Sequence, residues 1–283
     1  MEKIKVITDS TSDLSRETAV RYGIEIVPLS VQINGQSYLD GVDITPDQFY
    51  PMLAEAESLP KTSQPSPLDF IRVFERWASQ GYLVISLHLS RGLSSTVDTA
   101  RMAAEHVGPD RVTVVDSGFL SWGLAFQVIE AATAAAAGLS VKDVLDRARS
   151  VRDRMELLFS LDTLHYLEKG GRIGKVSALL GSLLNIKPLI RVENGIYVPF
   201  GKVRSQAQAL ERFVQFMRDT AGSRPIRVAV GHGLAAEAAQ KLMAMIERSF
   251  QVVGEITLFE VGPVIGVHTG PGTVGVAFYP AGS

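Results

Sequence analysis

Three short segments concentrate hydroxyl side chains where a strand gives way to a helix: DSTSDLS (9–15), KTSQPS (61–66) and LSRGLSST (89–96). Hydroxyls and unpaired backbone N–H groups at helix N-termini together make an anion site, because the helix dipole is positive there. Capping is the competing use of each such residue. Ser95 with Asp98 three residues on fits a capping box, which assigns Ser95 to the cap and leaves Ser94 free to face a ligand. A fourth segment, EVGPVIGVHTGPGTVGVAFYP (260–280), sets His268 between an apolar strand and a Thr-Gly-Pro-Gly loop, with Gly266, Gly270 and Gly272 permitting close backbone approach. His88, His106, His165 and His232 have no comparable setting. Hydroxyls plus an imidazole, without a metal-ligating constellation, suit a carboxylate or another small anion. A neutral hydroxyl bond contributes about 1 kcal/mol net. Such a set orients a head group, whereas each buried methylene of an attached chain adds about 0.8 kcal/mol. The segment ALLGSLLNIKPLI (178–190) offers apolar residues for such a chain.

The elements that must position these residues alternate. IKVITDS (4–10), YLVISLHLS (82–90), RVTVVDS (111–117), MELLFSL (155–161), IRVAVGH (226–232) and TVGVAFYP (273–280) read as strands, and apolar runs ending in polar turns fit buried parallel ones. IEIVPLSVQINGQSYLDG (24–41) and KPLIRVENGIYVPFGKV (187–203) alternate around Asn34-Gly35 and Asn194-Gly195, two hairpin signals. Thr45-Pro46 and Ser66-Pro67 each pair an N-cap with a first-turn proline. Helices are expected from Ser94 or Ser95 to Val107, over 120–137 up to Gly138, from Ser140 onward, and over 176–184, 205–220 and 234–249. Strands alternating with helices predict an α/β fold of two α/β lobes, 1–152 and 153–283, with mostly parallel sheets. Ligands of such folds bind beyond the carboxyl ends of strands, often between domains.

Composition narrows the function classes. The 283 residues hold no cysteine, which excludes disulfides and thiolate chemistry, and the net charge of -2 supplies no global field for nucleic acid. No apolar run is long enough to span a membrane and no signal peptide opens the chain, so a cytoplasmic location is expected. GGRIGK (170–175) resembles a phosphate loop only superficially. Lys169 stands where the first glycine of that loop belongs, and Val176 where Ser or Thr must bind magnesium. Residues 169–204 carry seven basic side chains against one acidic, Glu193. A solvated face is one use of such a run; docking onto an acidic or phosphate-bearing partner is the other.

Taken jointly, ITDSTSDL (7–14), KTSQPSP (61–67), LSRGLSSTVDTA (89–100), VVDSGFLSWG (114–123), LEKGGRIGKVSALLGSLLNIKPLI (167–190), GKVRSQAQAL (201–210) and HTGPGTVGVAF (268–278) resemble the DegV family, the fatty-acid-binding subunits of bacterial fatty acid kinase. The resemblance spans essentially the whole chain. It implies two α/β lobes with one long-chain fatty acid, palmitate- or oleate-like, buried at their junction. Its carboxylate would meet Thr62, Ser94 and His268, with Ser63, Ser95, Thr96 and Gly270 close by. A separate ATP-binding kinase subunit would phosphorylate the acid for phospholipid synthesis. The chain itself would then be no enzyme, would hold no metal or cofactor, and would touch the membrane at most transiently. Arg172 and Arg204 are the candidate docking residues. The chain departs from the family pattern at Ser95, where glycine is usual, and in SWG (121–123), which bears on the shape of the acyl tunnel. Two other readings compete. A stand-alone enzyme could be a serine hydrolase using Ser94, His268 and Asp116, although no G-x-S-x-G surrounds Ser94, or a dihydroxyacetone-kinase-like subunit. A nucleic-acid binder would need a recognition helix that the sequence does not offer.

Overall fold

Val6 and Ile7 put apolar side chains on opposite faces of the first strand, which fits a sheet covered on both sides. The computed structural model describes residues 2–180 and 186–282. The chain runs β1 (Ile4–Asp9), a 3-10 turn (Ser10–Ser12), α1 (Arg16–Arg21), β2 (Glu25–Val27), β3 (Ser30–Ile33), β4 (Gln36–Leu39), α2 (Pro46–Glu55), β5 (Lys61–Ser63), α3 (Pro67–Ala78), β6 (Leu83–His88), α4 (Thr96–Val107), β7 (Val112–Asp116), α5 (Ser121–Ala136) and α6 (Val141–Arg152). It continues through β8 (Glu156–Ser160), α7 (His165–Lys169), a second 3-10 segment (Gly174–Leu179), β9 (Lys187–Glu193), β10 (Ile196–Val203), α8 (Gln206–Ala221), β11 (Ile226–Gly233), α9 (Ala236–Ser249), β12 (Thr257–Glu260), α10 (Pro263–Thr269) and β13 (Thr273–Pro280).

The fold is α/β, with three sheets. The first, in the order β2-β1-β6-β7, is parallel throughout. The second, β10-β9-β8-β13-β11-β12, is mixed, and only β11 and β12 run parallel in it. The expectation of mostly parallel sheets thus fits the first sheet alone. The β9–β10 hairpin and the return of β13 between β8 and β11 make the second largely antiparallel. A small antiparallel sheet, β4-β3-β5, completes the set.

Both Asn-Gly turns form, with Asn34 at φ 48° and Gly35 at 82°, and Asn194 at 50° and Gly195 at 77°. Two local readings change. The segment 24–41 is not one hairpin: Glu25–Val27 pairs in parallel with β1, and Pro28, which has no N–H to give, precedes the true hairpin. KTS (61–63) is a strand and not a loop, with Thr62 opposite Val31. Of the helix expected over 176–184, the described part is the 3-10 segment that ends at Leu179; residues 181–185 lie outside the described residues, as does that part of the apolar segment 178–190.

The helix α5 is apolar nearly all round, and eleven of its residues are buried. A helix of that composition belongs between layers. It packs on β1 and β6 on one side and reaches β13 on the other. The largest apolar cluster accordingly joins Val6, Ile85 and Leu87 of the parallel sheet to Leu157, Ala277 and Tyr279 of the mixed one. A second joint is polar. Ser90 Oγ donates to the carbonyl of Gly195 at 2.7 Å, which docks the tip of the β9–β10 hairpin on the segment leading to α4. The approach leaves no room for a side chain at Gly92, whose Cβ would lie 2.5 Å from the Gly195 oxygen. Gly92→Ala should therefore destabilise the fold by about 1–3 kcal/mol in urea titrations. An unchanged midpoint would mean that the two segments are not pressed together.

Candidate functional site

Where the first and second sheets meet, a cavity of about 300 Å³ opens, lined by Thr11, Thr62, Ser63, Gln64, Ser94, Arg172 and His268 at polar positions and by Leu29, Leu89, Leu93, Leu120, Tyr197, Val264 and Ile265 elsewhere. Ligand cavities span roughly 300–1,000 Å³. Leu120, Tyr197 and Ile265 also line a narrow apolar extension of about 50 Å³, whose further wall includes Leu157, Phe159, Phe259 and Val261. One end of this space is therefore rich in hydrogen-bonding groups and the other is almost free of them.

Each polar residue arrives by a separate route. Thr62 is set by the pairing of β5 with β3. Ser94 stands two residues before α4, its Oγ 2.9 Å from Thr96 Oγ1. The capping box expected at Ser95 does not form. Ser95 occupies the N-cap position, but its side chain is exposed and caps nothing, and Asp98 pairs instead with Arg91 at 2.9 Å. Thr96 is buried outside the cavity lining, and Ser63 is in it. His268 lies on a helix, not between a strand and a loop. Gly262 and Pro263 start α10, and Gly270, at φ 71°, ends it. Gly266 lets α10 press on the ring of Phe49, which a Cβ would meet at 2.6 Å. Gly270 packs on Tyr166 outside the lining, so it shapes the helix end rather than the cavity.

The structure brings Thr62 and His268 into contact, with Thr62 Oγ1 at 2.9 Å from His268 Nε2, and puts Ser94 in the same wall. His268 Nδ1 is buried with no hydrogen-bond partner and faces Gly170. A buried N–H without an acceptor costs more than an unused lone pair. The favoured tautomer therefore carries its proton on Nε2 and donates it to Thr62, which leaves the threonine hydroxyl free to donate into the cavity. Burial, helped by the positive charge of Arg172, pushes the imidazole down to about 4. Arg172 itself sits in the wall, donating to the carbonyls of Leu93 at 3.3 Å and Gly170 at 2.9 Å, whereas Arg204 is exposed and away from the cavity. Of the other basic residues in 169–204, Arg191 binds Glu156 through two bonds of 2.9 and 2.8 Å, and Lys187 pairs with Asp162.

The residues that a hydrolase would need are not assembled around Ser94. Asp116 accepts from the backbone of Gly118 at 2.9 Å, and His268 Nδ1 has no carboxylate beside it. A Ser-His-Asp chain does exist elsewhere: Ser86 Oγ lies 2.7 Å from His88 Nε2, and His88 Nδ1 lies 2.9 Å from Asp9 Oδ2. All three residues are fully buried, so no substrate reaches that serine. Its part is structural, because Asp9 also receives the amide of Thr11 at 3.0 Å and so sets a residue of the cavity wall. Among the described residues, no group of three or more His, Asp and Glu stands close enough to hold a metal ion. Nor is any described helix long and apolar enough to cross a membrane.

Comparison with known proteins finds likeness along essentially the whole chain. The model of the DegV family, described as one of uncharacterised proteins, matches residues 3–281. A DegV domain-containing protein of Deinococcus radiodurans is 40% identical over 281 residues, covering 98% of either chain. The structure of a DegV family protein from Thermus thermophilus, described by its fatty acid binding, superposes with a TM-score of 0.94 at 38% identity, over 99% of this chain and 100% of that one. A stearic-acid-binding protein from Eubacterium ventriosum superposes with a TM-score of 0.88 at 28% identity, over 99% and 98%.

The state of His268 has a measurable consequence. Its ordinary value is 6.5 and its folded value about 4, so between these the unfolded chain binds a proton that the folded chain refuses. Stability is then complete above 6.5 and falls as pH drops toward 4. Relative to a His268→Gln variant, the wild type should lose about 2–3 kcal/mol between pH 7 and pH 4 in urea titrations. Parallel pH profiles for the two proteins would rule out a buried neutral imidazole.

Proposed function

The chain belongs to the DegV family, and from that premise we propose that it binds one long-chain fatty acid with the carboxylate at Thr62, Ser94 and His268. The observation that carries this reading is the Thr62–His268 hydrogen bond in the wall of a cavity whose other end is apolar. With Nε2–H of His268 engaged, Thr62 keeps its hydroxyl hydrogen for a carboxylate oxygen, and Ser94 keeps its own when Thr96 is the donor of the bond between them. Arg172 adds a fixed positive charge in the same wall. An arriving carboxylate favours the protonated imidazole and so opposes the burial that keeps His268 neutral. The acyl chain would run from the larger cavity past Leu120, Tyr197 and Ile265 and end in the apolar extension, between the lobes 1–152 and 153–283.

The chain would present this carboxylate to a separate ATP-dependent kinase subunit and would not itself transfer phosphate. Two features support that role. The 3-10 segment Gly174–Leu179 packs on β10, and Lys175 and Lys202 on these two elements are exposed, as are Lys169 and Arg204. Such a face suits an acidic or phosphate-bearing partner. Arg172 in the cavity wall, moreover, adds a cation beside the carboxylate site that suits the same partner. A cytoplasmic location, where ATP is abundant, belongs to the same reading.

Lipid extraction of the purified protein followed by mass spectrometry tests the binding. A fatty acid in the extract, or saturable uptake of palmitate or oleate, is expected; neither would sink the reading. Thr62→Ala and Ser94→Ala should each weaken retention about fivefold, the loss of one net hydrogen bond. Acyl-phosphate formation with the kinase subunit should fall further, by tenfold or more, because misplacing a reacting group costs more than loosening it. Wild-type rates in both variants would show that the head group is held elsewhere.

A further inference from the structure

Four residues lie at one level across the mixed sheet, one on each of four adjacent strands: Phe159 on β8, Gly275 on β13, Gly231 on β11 and Phe259 on β12. Residues paired in register present the same face. On that face all four line the apolar extension. The row forms a trough with two glycines as its floor, on which the Phe259 ring rests over Gly231 and the Phe159 side chain lies beside Gly275. Neither glycine has a positive φ, so the backbone does not require glycine there. The space does. A Cβ on Gly231 would lie 2.4 Å from Cζ of Phe259, and one on Gly275 would lie 3.1 Å from Cβ of Phe159. A side chain at either position would displace the phenyl side chain beside it, so the two glycines set where the rings lie.

Phe259 has a second exposure. It also bounds an open groove of about 920 Å³ on the outer side of the molecule, whose walls include Val20, Val42 and Leu258. It is the residue that lines both spaces. The ring is half-buried and leans on Trp122, with centroids 5.8 Å apart. Removing it would join the trough to the groove.

We propose that the Phe159–Gly275–Gly231–Phe259 row sets the length of the acyl chain, with Phe259 as the stop that the terminal methyl meets. The proposal rests on the fatty-acid reading above. With the carboxylate held at Thr62, Ser94 and His268, chain length is measured between two fixed ends. Each sheltered methylene is worth about a fourfold gain in affinity. Acids that stop short of the ring lose that gain, and acids that overrun it must fold back or displace the ring.

The test loads wild type, Phe259→Ala and Gly231→Ala with an equimolar series of saturated acids from lauric to behenic. The bound acids are read by extraction and mass spectrometry, and folding by circular dichroism. Phe259→Ala should move the preferred acid at least one step up the series. Gly231→Ala, whose methyl group would push the Phe259 ring off the sheet and into the extension, should move it down. Phe259→Leu, a milder change, should move it in the same direction as the alanine variant and serves if that one does not fold. Wild type and the folded Phe259 variants carrying the same distribution of acids would overturn the row as the ruler. A wild type that takes up none of the acids would overturn the fatty-acid reading, and this inference with it.

Discussion

The carboxyl group of Asp9, sealed from water at the end of β1, holds together the two segments on which the polar end of the cavity depends. It receives the amide of Thr11 at 3.0 Å and that of Leu89 at 3.0 Å, and it meets His88 Nδ1 at 2.9 Å. Burying such a group is costly unless each lone pair finds a donor. Here the donors come from the turn after β1 and from the end of β6, so satisfying the carboxyl ties the two strand ends together. Thr11 and Leu89 then enter the cavity wall as a consequence. The Ser86–His88 bond extends the same network, which is why a Ser-His-Asp chain appears in the interior of a protein whose cavity lies elsewhere.

The other half of the polar end hangs on α10, a short helix from the second half of the chain that packs on α2, β3 and β5 of the first. Its start is gripped by acids. Asp13 accepts from the amide of Gly262 at 3.0 Å, and burial pushes its carboxyl up to about 7. Asp40, more deeply placed, is pushed up to about 8, again by burial first. Carboxyls raised in this way contribute stability that is complete below 3.8 and lost as pH rises through 7 and 8. His268 at the opposite end of the helix depends on pH in the reverse sense. Between 3.8 and 6.5 the two ends of the helix therefore oppose each other, the acids losing stability and the histidine gaining it as pH rises.

Chemistry-bearing types near strand and helix ends were legible in the sequence, and so was the family. The residues alone mark hydroxyl-rich segments, where capping competes, and a glycine-flanked imidazole; it is the family resemblance that singles out Thr62, Ser94 and His268 among them. Their supports were less legible. KTS is too short to show alternation, so β5 is visible only through its pairing with β3. The start of α10 did carry a signal, Gly262 followed by Pro263, but the glycines that follow mask a seven-residue helix. Ser95 satisfies the spacing of a capping box, yet Arg91 takes the acidic partner away. Thr11, Gln64 and Tyr197 reach the cavity only by tertiary placement. The glycine trough is the extreme case, because its four members are drawn from positions 159, 231, 259 and 275 and no local window contains the row.

That distribution follows from how the two ends of the cavity work. Hydrogen bonds to a carboxylate need particular atoms at particular places, and a few residues of definite type supply them. Their net contribution is small, about 1 kcal/mol for each neutral bond, because water offers the same bonds to the free acid. Apolar enclosure needs no particular atom, and many side chains of many types can provide it at about 0.8 kcal/mol per methylene. The polar end therefore leaves a compact sequence signature and little affinity, while the apolar end leaves affinity and almost no signature. What distinguishes one apolar enclosure from another is its boundary, and a boundary is made by the few places where a large side chain meets none. In the proposed enclosure such places are Phe159 against Gly275 and Phe259 against Gly231.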